Sequence, residues 1–165
     1  MSDREKWAFL ERAPARDATD PGLQDVARSL WRVALRVGPS PHEPFARLAH
    51  AVARDCVRYE TDTRRTGGED IAGFTRRQGH ALEALERGTD DCDAKARLFV
   101  ALCLAAGLRA RMVPRWEGET LRHVSAAVTI NGRELAVETI LARARLGDRA
   151  ENIPTEKDTK RWLYT

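Results

Sequence analysis

The sequence predicts an α+β domain in which a helical N-terminal part and one central buried helix pack on a small antiparallel sheet. Three observations predict it. Between residues 23 and 106, apolar side chains recur at helical spacing in blocks separated by Gly- and Pro-containing breaks. The block Leu98-Phe99-Val100-Ala101-Leu102-Cys103-Leu104-Ala105 is apolar nearly all round, which belongs in an interior. After Gly107 the pattern changes to β-type runs, two of which flank Asn131-Gly132, the strongest short-range signal of a hairpin turn.

The elements follow in order. Residues 1–22 form a polar N-terminal extension holding Pro14, Pro21 and Gly22, with Trp7, Phe9 and Leu10 able to anchor a short helix. Leu23 to Val37 reads as the first long helix, stopped by Gly38-Pro39-Ser40-Pro41. Phe45 to Tyr59 reads as a second, amphipathic helix with Phe45, Leu48, Ala49, Val52, Ala53, Cys56 and Val57 on one face, so Cys56 is expected to be a buried small hydrophobe. A polar loop is expected from Thr61 to Gly73, then a short helix over 76–87 capped by Gly88. The central helix starts at or beside Cys92 and ends before Gly107. Strands are expected over Arg109–Trp116, Leu121–Ile130 and Arg133–Ile140. Residues 23–141 are expected to make up the domain, with the charged segment 142–165, including Trp162-Leu163-Tyr164, packing on it, contacting a partner or partly flexible.

A chain of 165 residues suits one domain and builds a core without disulfides. Its three cysteines, odd in number and without a CxxC pair, fit a reducing compartment and argue against a structural zinc site. No run of eighteen apolar residues exists, so no membrane helix is expected. The charged start Met1-Ser2-Asp3-Arg4-Glu5-Lys6 lacks an apolar signal region, and a cytoplasmic location is expected. The net charge of +3 and pI of about 9.0 raise a nucleic-acid reading. However, the basic residues are nearly all Arg, dispersed, and often beside Asp or Glu, a solvated-surface pattern rather than a binding stripe. A nucleic-acid partner is therefore not expected.

The chemistry centres on Cys92. A thiol with a reference pKa of about 8.5 is mostly protonated at neutral pH, and a helix N-terminus favours its thiolate through unpaired N–H groups and the helix dipole. The same N–H groups can stabilise an oxyanion. Asp90, Asp91 and Asp93 oppose this by raising the thiol pKa, so a nearby imidazole is needed. Of His42, His50, His80 and His123, the first lies in a Pro-rich turn, His50 reads as a surface or packing residue, and His80 as a helix-start cap. A two-residue Asn131-Gly132 turn pairs Ile130 with Arg133, Ala127 with Ala136 and Ser125 with Glu138. His123 and Glu138 then become diagonal neighbours on one face, about 7–8 Å apart at Cα. Small residues on that face (Ser125, Ala127, Ala136) leave room for a helix, while Val124, Val128, Ile130, Leu135 and Val137 read as packing. The roles follow: Cys92 attacks, His123 moves the proton, and Glu138 orients the imidazole.

Asp91-Cys92-Asp93-Ala94-Lys95-Ala96, Leu98 to Leu102, Ala106 to Arg111, Arg122-His123-Val124 and Gly132 to Thr139 together resemble the nucleophile helix, base segment and third-residue strand of the transglutaminase-like superfamily. A weaker similarity covers Ala53 to Asp62. The Asp-Cys-Asp segment is similar to that of compact bacterial and prophage-encoded members. The resemblance implies a papain-like fold and a cysteine-dependent acyl-transfer enzyme with a Cys-His-Glu triad, acting on a peptide or protein amide by hydrolysis, proteolysis, deamidation or transamidation. It implies no cofactor, and no calcium-loop pattern is present. Gln78 is a candidate oxyanion donor and Asp93 a candidate supporting residue. The sequence departs from the family pattern at Asp90, where Gly is usual, and at Glu138-Thr139, where Asp-Pro is usual. Aromatic residues common in the family are replaced at Glu134 and at Val124-Ser125. The alternative these departures raise is an inactive binding or assembly module on the same fold.

Overall fold

The computed structural model describes residues 1–60 and 71–148. Its first three helices are α1 (Asp3–Leu10), α2 (Ala13–Asp17) and α3 (Pro21–Ala34). Helix α1 opens with a capping box between Ser2 and Glu5. Helix α3 opens with the Asp20 carboxylate accepting the Leu23 N–H at 3.0 Å and Pro21 in the first turn. Helix α4 (His42–Ala51) runs into a single π-helical turn, Val52–Cys56.

That turn corrects the expectation for Cys56. Ala53 and Val57 stay buried, but the wider turn carries Cys56 out to solvent. Strand β1 (Arg58–Tyr59) follows and pairs in parallel with β2 (Thr89–Asp90). Between them lie α5 (Ile71–Gln78) and α6 (Ala81–Arg87). The single helix expected over 76–87 is thus two, and the loop expected over 61–73 ends by Ile71; residues 61–70 lie outside the described residues. The break falls at Gly79, whose φ of +53° is left-handed. His80 then caps α6, its Nδ1 accepting the Leu82 N–H at 3.3 Å, and Gly88, at φ +72°, closes it.

Helix α7 (Cys92–Ala105) is the central element, and every residue from Ala94 to Cys103 is buried. Strands β3 (Arg109–Glu117), β4 (Thr120–Ile130) and β5 (Arg133–Val137) form an antiparallel sheet in the order β3-β4-β5. Asn131 (φ +51°) and Gly132 (φ +77°) make the tight turn, and Ile130 pairs with Arg133 and Ala127 with Ala136. The fold is therefore α+β with a small antiparallel sheet. The third strand stops at Val137 rather than Ile140, its ladder ending at the pair Ala126 and Val137.

One apolar core joins Phe45, Ala49, Leu98, Phe99, Leu102, Val124, Ala126, Val128 and Val137. Helix α7 thus packs on the face of β4 read as packing, not on the small-residue face of Ser125 and Ala127. Leu10 and Leu23 also belong to this core. Past β5, Ala144 is buried and the Gly147 N–H bonds the Ala136 carbonyl at 2.8 Å. Trp162-Leu163-Tyr164 lie outside the described residues.

Candidate active site

The start of α7 is held by the short parallel pair. The Arg58 N–H donates to Gly88 O at 2.7 Å and the Glu60 N–H to Asp90 O at 2.9 Å. Asp91 is the N-cap, its carboxylate accepting the Ala94 N–H at 3.1 Å. Cys92 is the first helical residue and is half-buried. The backbone N–H of Val124, the residue after His123 on β4, acts on its thiol, which places the sulfur near that strand. Burial pushes the thiol pKa well above its ordinary value, and the charges of Asp93 and Asp91 push it further; the Val124 N–H works in the opposite direction. The resting group is a thiol, so nucleophilic chemistry here requires a base.

His123 sits beside a β-bulge. Arg115 pairs with His123 but Trp116 pairs with Leu121, so Arg122 is an extra residue immediately before the histidine. His123 (4% exposed) and Val124 (1%) are both buried, so both faces of β4 are covered at this point. The His123 Nε2 lies 2.9 Å from Glu138 Oε2. Glu138, 3% exposed, stands one residue beyond β5. Its other carboxylate oxygen accepts the Ile140 N–H at 3.1 Å. Burial disfavours the Glu138 charge, but the His123 bond and charge and the N–H groups of Ile140 and Thr139 outweigh it, and its pKa falls below the usual value. With Nε2 engaged, Nδ1 is the imidazole nitrogen left for proton transfer.

Gln78 ends α5 and is buried, its amide 3.5 Å from Asp93 Oδ2. The structure thus brings Gln78 to the residue that follows Cys92. Three further residues belong to this neighbourhood. Tyr59 has its pKa raised to about 12, first by burial and then by the charges of Cys92, Asp91, Asp93 and Glu138. Lys95, 1% exposed, donates to Arg54 O at 2.9 Å and also to Val57 O. His50, read as a surface or packing residue, is buried, and it also reaches the main chain of Glu138 at 2.7 Å. Lys95 lies one turn into a helix that turns apolar after Arg97, and its ammonium is buried against two main-chain carbonyls. Nothing near His50 in the chain marks its distant partner.

Among the described residues no group of three or more His, Cys, Asp or Glu could hold a metal ion. None of their helices is long and apolar enough to cross a membrane. Comparison with family models matches residues 32–139 to the transglutaminase-like superfamily, a span that includes Cys92, His123 and Glu138. Comparison with curated proteins and with solved structures gave no match.

Proposed function

The chain belongs to the transglutaminase-like superfamily, and from that premise we propose that it is a cysteine-dependent acyl-transfer enzyme acting on a peptide or protein amide. Cys92 is the nucleophile, His123 the base and Glu138 the group that orients it. The observation that carries this reading is the buried His123–Glu138 pair at 2.9 Å, with the N–H of Val124, next to His123, acting on the Cys92 thiol.

The thiol is protonated at rest, so His123 Nδ1 takes its proton as the sulfur attacks the substrate carbonyl. The new C–S bond gives a tetrahedral oxyanion. The N–H groups at the start of α7 face this charge, and the Gln78 amide, held by Asp93, is a supporting donor. His123 returns the proton to the leaving nitrogen as the C–N bond breaks, leaving a thioester on Cys92. Attack by water completes hydrolysis, and attack by an amine completes transamidation. The Glu138 carboxylate stabilises the imidazolium formed in between.

The test is acylation by p-nitrophenyl acetate, with the acetyl group located by mass spectrometry. Expected is a burst of p-nitrophenol with acetyl on Cys92, slowed about 100-fold or more by His123→Ala and also slowed by Glu138→Gln. Acetyl on Cys56 alone, or Cys92 acetylation indifferent to His123, would overturn the reading and leave a binding module.

A further inference from the structure

Glu138 is fixed at its main chain as well as at its carboxylate. His50 lies on the last turn of α4, 3% exposed, with its ring edge-on to Phe99 of α7 at 6.3 Å and 84°. Its Nε2 is 2.7 Å from the Glu138 carbonyl oxygen. A carbonyl only accepts, so Nε2 carries the hydrogen and the ring is the Nε2–H tautomer. Arg54 and Asp55 of the π-helical turn and the Glu138 carboxylate are the charged groups acting on it, and burial favours its neutral form.

We propose that His50 is a positioning residue for the His123–Glu138 pair, acting through the main chain of residue 138; the proposal rests on the acyl-transfer reading above. Glu138 stands beyond the last ladder pair, so no pairing with β4 sets its peptide. Its side chain is one methylene longer than aspartate, and it meets His123 correctly only if its backbone is held in place. His50 holds the carbonyl, and the Ile140 N–H and His123 hold the two carboxylate oxygens. Both ends of the residue are thereby pinned between α4 and β4. Without the His50 donor a buried carbonyl loses its partner, the peptide turns to find another, and the carboxylate leaves the imidazole.

The experiment measures the rate of Cys92 acetylation in the full chain, at one pH and with every variant checked to be folded. His50→Leu removes the donor, and His50→Gln restores one. His50→Leu should lower the rate about tenfold or more. His50→Gln should recover most of the loss. A role in stability alone would lower the urea midpoint and leave the rate of the folded protein unchanged. If wild-type acetylation depends on His123 and His50→Leu keeps the wild-type rate, the positioning role falls while the acyl-transfer reading stands. If wild-type acetylation ignores His123, the acyl-transfer reading itself falls. Imidazole ¹⁵N shifts of the unmodified protein decide the matter should His50→Leu not fold: the Nε2–H tautomer at His50 supports the proposal, and the Nδ1–H tautomer overturns it.

Discussion

Thr139 follows Glu138, is fully buried, and its hydroxyl oxygen has no hydrogen-bond partner among the described residues. A buried hydroxyl without a partner costs about 1–3 kcal/mol. Thr139→Val keeps the shape and removes that cost, so it should stabilise the fold by about 1 kcal/mol or more, read as a higher urea midpoint at unchanged slope. A lower midpoint would show that the hydroxyl is bonded in solution. At this scale the sequence was informative where partners are local. Asn131-Gly132 set the register, and the register brought His123 and Glu138 to one side of the strand pair. It was silent on His50, whose partner lies 88 positions away. It misplaced Cys56, because a π-helical turn breaks the 3.6-residue period from which burial was read.

Helix α7 carries Lys95 one turn beyond Cys92, and the ammonium ties this helix to the π-helical turn through the carbonyls of Arg54 and Val57. Those carbonyls precede β1, the strand that carries Tyr59 beside the thiol, so one buried cation fixes two elements of the site. Burial lowers the Lys95 pKa from 10.5 to about 8, against the smaller opposing pull of Asp55 and Glu138. Between those values the unfolded chain binds a proton that the folded chain has released, so this group makes stability rise with pH across the window. Below about pH 8 both states hold the proton and the full cost of burying the charge is felt. Lys95→Met should abolish the rise: unfolding free energies of the two proteins, compared from pH 8 to 10, should diverge in favour of the wild type as pH increases. Parallel curves would refute the assignment. The existence and end of α7 were legible from its apolar run and Gly107. The division of α5 from α6 was not, because the break is confined to two residues, left-handed Gly79 and the extended cap His80.

At the scale of the whole molecule, a buried charge pair ties the start of the chain to the central helix. Arg97, 1% exposed in the middle of α7, donates from Nη2 to Asp17 Oδ1 of α2 at 2.9 Å. It also donates to the carbonyls of Gln78 and Gly79 at 3.3 and 3.0 Å. His80 adds its Nε2 at 3.3 Å from Asp17. Helix α2 is therefore pinned to α7 and to the turn between α5 and α6. Asp17→Ala leaves the guanidinium buried and without its counter-charge, a loss of about 3–5 kcal/mol that should appear as a large fall in urea midpoint. A change within about 0.5 kcal/mol, ordinary for a surface site, would contradict it. The α+β architecture was legible because the change from helical to strand periodicity at Gly107 is a local property. Burial of Arg97 and Asp17 was not, since two charges enter a core only as partners and these are 80 positions apart. His123 and Glu138, by contrast, are only 15 positions apart across a tight hairpin. Loop-closure entropy grows with the logarithm of separation, so joining the distant pair costs about 1.5 kcal/mol more than joining the near one. The tight hairpin thus brings His123 and Glu138 together at a low closure cost. Cys92 comes from outside that hairpin, so in the proposed triad the turn assembles two members and the packing of α7 on β4 delivers the third.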